Sequence, residues 1–191
     1  MRKLFFGLIL SLPLAGCTVN LAHNPLQPVA HQQTGEVLVH QSAAGMSNSI
    51  GWGTITPFVI PVARVTVNGK ADEDLMLQIK SGLEHMGYSV RVVSDASAAG
   101  GLPVLTCQVN RFKFRNFTWL FPLVFNWGTI DVNMSLAAAG RPPIWQKNIV
   151  AKASGFYSFE KTVSKALTRV LDQMIRDMSA VQMKTAAAGG K

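Results

Sequence analysis

At 191 residues, with 48% hydrophobic and only 15% charged side chains, the chain can bury one sizeable core and is short for two domains. Its 18 Lys and Arg against 10 Asp and Glu give a formal net charge of +8, which directs attention to anionic surfaces as partners. Two cysteines in the whole chain exclude a scaffold stapled by several disulfides.

The N-terminus opens with Met1, Arg2 and Lys3, followed by the apolar run Leu4 to Leu12. A spanning helix needs about 20 apolar residues, so this run reads as an export signal over residues 1–16 that is removed from the mature chain. Pro13 interrupts it, and Leu14-Ala15-Gly16-Cys17 follows. These four residues resemble the lipobox of bacterial lipoproteins. Ala15 and Gly16 are small enough to lie extended in a peptidase groove, and the Cys17 thiol is the nucleophile that takes a diacylglyceryl group. The resemblance implies two or three acyl chains on Cys17 and a lasting membrane attachment. In that family an Asp after the Cys retains the protein at the inner membrane. Thr18 stands there instead, so the expected address is the periplasmic face of the outer membrane. With Cys17 acylated, Cys107 has no disulfide partner in the mature chain; it lies in the apolar run Val104 to Val109 and reads as a small core residue. Loss of Arg2 and Lys3 leaves 16 cations against 10 acids. For an exported chain this charge points to lipid headgroups, lipopolysaccharide phosphates or an acidic envelope protein rather than nucleic acid.

Residues 17–34 are rich in Asn, Gln, Pro and His without periodicity, and read as the lipidated N-terminus and a flexible tether with a reach of about 20 to 25 Å. His23 and His31 fall there without metal-ligating neighbours. One globular domain is expected over residues 35–183, followed by a disordered tail over 184–191. Gly35 to His40 predicts a strand, Ile50 to Pro61 an apolar segment, and Val62 to Val67 a half-buried strand. Asp72 is placed to cap a helix whose stripe is Leu75, Met76, Ile79, Leu83 and Met86, ending at Gly87. Strands are expected at Tyr88 to Val93 and within Pro103 to Phe117, with Thr118 to Asn126 as a connection. Thr129 to Leu136 alternates as a strand, Gly140 to Pro143 turns, and Ile144 to Ala151 returns. Val163, Ala166, Leu167, Val170, Leu171, Met174, Ile175 and Met178 mark a second helix, with Ser158 or Thr162 as its cap. The expected fold is α+β, an antiparallel sheet of four to five strands with two helices on one face. This element order looks like that of small periplasmic lipoproteins, the lipopolysaccharide-assembly lipoproteins among them, and the likeness supplies no functional residues.

Two features carry the binding expectation. In Arg111-Phe112-Lys113-Phe114-Arg115, strand alternation sets Arg111, Lys113 and Arg115 on one face as candidate anion contacts. The segment Phe117 to Trp127 is unusually apolar, and Trp119, Leu120, Phe121 and Trp127 are candidate contacts for a membrane or a protein partner. Trp52-Gly53-Thr54-Ile55 recurs as Trp127-Gly128-Thr129-Ile130. No nucleophile elbow, phosphate loop or metal-ligand spacing is present in the sequence, and His40 and His85 stand alone in it. No enzyme, metal or cofactor is therefore expected beyond the covalent lipid on Cys17. The expected function is a membrane-anchored protein that binds a partner or lipid in envelope assembly, transport or maintenance. The alternative is a structural accessory subunit of an envelope machine that binds no lipid.

Overall fold

The computed structural model describes residues 17–29, 34–55, 60–95, 100–120, 123–138 and 140–179. The elements in chain order are β1 (Cys17–Val19), β2 (Glu36–Ala44), β3 (Ser49–Ile55), β4 (Ile60–Val67), α1 (Ala71–His85), β5 (Ser89–Val93), β6 (Pro103–Leu120), β7 (Leu123–Ala138), β8 (Trp145–Phe156) and α2 (Phe159–Ser179). The proposed export signal over residues 1–16 and the tail over 184–191 lie outside the described residues, as does His31.

The long strand β6 organises the sheet. One edge pairs antiparallel with β7 from Pro103 to Leu120. The other edge is shared: β2 pairs parallel with its first half and β3 parallel with its second, so β2 and β3 lie end to end. Outside them, β5 pairs parallel with β2, β4 antiparallel with β3, and β1 parallel with β4. On the far side β8 pairs antiparallel with β7. The described sheet therefore has eight strands and is mixed, which corrects the expectation of four to five antiparallel strands. Alternating polarity reveals which face a residue takes but not the direction of its partner strand. Parallel pairing needs a long connection, and between β2 and its parallel partner β5 the chain runs through β3, β4 and α1.

The segment expected to connect two strands is also different. β6 and β7 form one continuous hairpin in which Leu120 pairs with Leu123, so Thr118 to Asn126 belongs to its end. A register shift between Val109 and Arg111 turns the strand over. Before it Leu105, Cys107 and Val109 face the core; after it Phe112 and Phe114 do.

Both helices cover the same face and join one apolar cluster with the sheet. α1 buries Leu75, Met76, Ile79 and Leu83, and α2 buries nine residues including Val163, Leu167, Val170 and Met174. Gly82 of α1 faces α2, and a Cβ added there would lie 3.0 Å from Met174 Cε. The cap expected from Asp72 is supplied from elsewhere: Asp72 lies inside the first turn, and the backbone N–H of Ala71 donates to Asn48 Oδ1 at 2.9 Å. Ser158 does cap α2, its Oγ accepting from the N–H of Lys161 at 3.1 Å.

Residues 20–29, expected as part of a flexible tether, form a strap across both helices. His23 Nε2 lies 3.2 Å from Ser81 Oγ on α1, and the Asn24 N–H donates to Thr168 Oγ1 on α2 at 2.8 Å. Further along, the Gln27 N–H donates to Asp172 Oδ1, and the Gln27 carbonyl accepts from His85 Nε2 at 2.9 Å. Val19 and Leu21 are buried in the core. These partners lie 58 to 145 residues away in sequence, so no local pattern announces them.

Candidate functional site

The sheet face opposite the two helices carries a layered arrangement toward the end where β6 meets β7. Arg111, Lys113 and Arg115 are exposed there, with the rings of Phe112 and Phe114 buried beneath. Strand register sets these cations in rows with residues of the neighbouring strands. Arg64 of β4, Trp52 of β3, Arg115 of β6 and Trp127 of β7 stand abreast. Arg64 lies over the Trp52 ring at 5.3 Å from its centroid, a cation–π contact. Two residues toward the turn, Phe117, Phe125 and Phe156 form the next row. Two residues the other way come Lys113, Thr129 and Lys152.

The end row is aromatic and open to solvent. Phe125 stacks on Trp127 with centroids 5.4 Å apart and packs on Phe156 at 5.2 Å. Phe156 is 62% exposed and Tyr157 67%. Tyr157 holds a left-handed backbone, φ +67°, which is strained for a side chain of its size, while its N–H donates to the Val124 carbonyl at 2.8 Å. This bond fixes the turn from β8 into α2, and with it the outward aromatic pair. Trp119 and Leu120 end the β6 backbone at this same edge of the sheet; their side chains, and all of Phe121, lie outside the described residues.

The structure therefore brings Arg111, Lys113, Arg115 and Trp127 together around one depression of about 390 Å³, floored by Gly128 and Thr129. Sequence reading had separated these residues into two features. It also missed Trp52, Arg64, Phe156 and Tyr157, because strand pairing and the turn into α2 bring them there and no local motif does. The repeated Trp-Gly-Thr-Ile signal has a structural meaning: Trp52 and Trp127 flank Arg115 in one row, on opposite sides of β6.

Cys17 stands at the register position of Val65, one residue from the row that begins with Arg64. β1 runs parallel to β4, so Cys17 is the residue of β1 that lies toward the aromatic end. The Cys17 side chain is outside the described residues. Cys107 is buried in β6, and burial pushes its thiol up to about 12. Among the described residues, no three His, Cys, Asp or Glu side chains gather as metal ligands. No helix among them is long and apolar enough to cross a membrane.

These elements define an α+β domain with two helices on one face of a mixed sheet. In fold it is similar to protein XCC0632 from Xanthomonas campestris, of the family DUF330, with a TM-score of 0.53 over 85% of this chain and 92% of that one, at 16% identity. The PelC dodecamer from Paraburkholderia phytofirmans aligns with a TM-score of 0.40, at 14% identity over 78% and 92% of the two chains. A minor lipoprotein from Acinetobacter baumannii aligns with a TM-score of 0.33, at 16% identity over 70% and 90%. No family model matches the chain, and no curated protein matches it. At 16% identity the likeness to XCC0632 shows the fold alone.

Proposed function

We propose that this chain is a non-enzymatic bacterial lipoprotein, anchored through lipid on Cys17, whose aromatic end meets the outer membrane from the periplasmic side. In this role it binds lipid or an envelope protein in assembly, transport or maintenance of the envelope. The observation that carries the reading is the position of Cys17, one residue step from the Arg64–Trp52–Arg115–Trp127 row. A step along a strand is about 3.3 Å, so a lipid on Cys17 starts level with that belt.

The layering matches a bilayer interface. The interfacial zone on each side of the hydrocarbon is about 5 to 8 Å deep, and successive rows here are about 7 Å apart. With Phe117, Phe125 and Phe156 at the boundary, the Trp and Arg row lies among the headgroups and Lys113 and Lys152 lie in water near the lipid phosphates. The strap over α1 and α2 leaves no long tether between lipid and domain. The anchor therefore holds this end at the surface, and a weak aromatic contact suffices for a fixed orientation.

The test is metabolic labelling with tritiated palmitate in a Gram-negative host, comparing the full chain with Cys17→Ala, followed by envelope fractionation. Label and membrane recovery in the first, and loss of both in the second, are the expected results. An unlabelled full chain recovered with the soluble periplasmic proteins contradicts the reading.

A further inference from the structure

β8 ends the sheet: among the described residues it pairs with β7 and with no other strand. Its backbone polarity follows from its register. The Tyr157 N–H bonds the Val124 carbonyl, and the pairing runs without a shift from Phe125–Phe156 to Leu136–Trp145. Odd-numbered residues of β8 therefore turn their N–H and C=O groups to β7, while Asn148, Val150, Lys152 and Ser154 turn theirs outward. The structure shows one of these groups already engaged from outside, since Arg169 of α2 donates to the Lys152 carbonyl.

Beside this edge runs a groove of about 630 Å³ between β8 and α2, lined by Lys147 to Lys152 with Arg169, Gln173 and Arg176. It continues into a second depression of about 360 Å³ that shares Lys152 and Arg169 and adds Lys165. Lys147, Lys152, Lys165, Arg169 and Arg176 are all exposed, and among the described residues no carboxylate lines either depression. Asp177 lies 3.8 Å from Lys147 at one end. Lysines alone on an edge strand serve to discourage chance pairing. Here the arginines come from the neighbouring helix, and one reaches a strand carbonyl, which makes a positively charged channel along a row of open backbone groups. A second copy of this chain would bring the same cations against them, so self-pairing opposes its own charge.

We infer that the β8 edge accepts an extended acidic segment of a partner protein as an added strand. Its backbone pairs with Asn148, Val150, Ser154 and the Lys152 N–H, the Lys152 carbonyl being held by Arg169, and its carboxylates, on alternate residues, face Arg169, Arg176 and Lys165. The outward row spans about 20 Å from 148 to 154, which sets the segment at about seven to nine residues. This inference is independent of whether Cys17 carries lipid.

The probe is a fluorescein-labelled, acetylated eight-residue peptide alternating Glu and Val, titrated with the mature protein and read by fluorescence anisotropy. Saturable binding that weakens with added salt is expected, with no binding of the matching Lys and Val peptide. Val150→Pro removes an outward N–H that β7 does not use, and is expected to weaken binding at least tenfold while circular dichroism stays unchanged. The double variant Arg169→Glu, Arg176→Glu, at two exposed positions, is expected to abolish it and tests the charge separately. Absence of binding to the acidic peptide, equal binding of the basic one, or binding indifferent to both variants overturns the inference. So does a wild-type oligomer in sedimentation that Val150→Pro dissociates, which would make a second copy the occupant.

Discussion

The backbone N–H of Asn24 donates to Thr168 Oγ1 at 2.8 Å, joining the segment that follows β1 to the middle of α2. Thr168 Oγ1 in turn donates to the Ser164 carbonyl, so this hydroxyl is one of several links between the strap and α2. Thr168→Val removes both bonds at little change of volume, and a loss of about 1 kcal/mol is expected. Hydrogen exchange should quicken over residues 20–28 and stay unchanged in β6 and β7. Unchanged exchange in the strap would mean that its other contacts suffice without this one.

Gly128 faces Phe114 across the hairpin, and a Cβ there would lie 2.1 Å from Phe114 Cδ1 and 2.7 Å from the Lys113 carbonyl oxygen. Phe114 is buried and packs edge-on against Phe159, so it has nowhere to retreat. Gly128→Ala should cost about 3 kcal/mol in denaturant unfolding. Combined with Phe114→Leu, the loss should be less than the sum of the two single losses, because the smaller side chain relieves part of the clash. Strict additivity would show that the clash is with the backbone alone.

Asn126 is fully buried, and among the described residues neither its amide nitrogen nor its oxygen has a partner. A buried polar group without a hydrogen bond costs about 1 to 3 kcal/mol. Asn126→Leu is therefore expected to stabilise the fold by about 1 kcal/mol or more, read as a raised urea midpoint at constant slope. A lowered midpoint would show that the amide has a partner that matters.

Burial sets a pH dependence at the alkaline end. The Cys107 thiol rises from 9.0 to about 12 in the folded chain, so the folded state keeps a proton that the unfolded state releases. Its contribution to stability is complete below pH 9 and is lost as pH climbs from there toward 12. The slope is up to about 1.4 kcal/mol per pH unit. Burial also raises the Tyr88 hydroxyl, which acts in the same direction above its ordinary value of 10.0. Urea unfolding above pH 9 should thus show falling stability, with a shallower fall in Cys107→Ala. Rapid alkylation of native Cys107 near neutral pH would contradict the burial on which this rests.

Both helices were legible because their stripes repeat at 3.6 residues and each is buried by a single sheet face. The split of Arg111, Lys113 and Arg115 from Phe112 and Phe114 was legible too, since it needs only local alternation beyond the shift at Val109. The rest depends on distant partners. Nothing near Cys17 reveals that it pairs beside Val65, and nothing near Ala71 reveals that Asn48 caps it. The apolar Thr118 to Asn126 segment resembled a connection because hydrophobic content alone does not distinguish a covered loop from the end of a hairpin. The division of β6 between β2 and β3 is a property of pairing, invisible to periodicity along any one strand.

In the proposed orientation the end bearing Phe156 and Tyr157 meets the bilayer. This orientation is tested most directly by placing spin labels on the lipidated protein in vesicles of envelope phospholipid. Cys17 is then blocked by lipid and Cys107 is buried, so Tyr157→Cys and Leu77→Cys each offer one reactive thiol; both parent side chains are exposed, at 67% and 51%. The label at 157 should be relaxed by oxygen and shielded from a water-soluble nickel chelate, while the label at 77 should show the reverse. Equal access of the nickel chelate to both labels, or shielding at 77 alone, would contradict it.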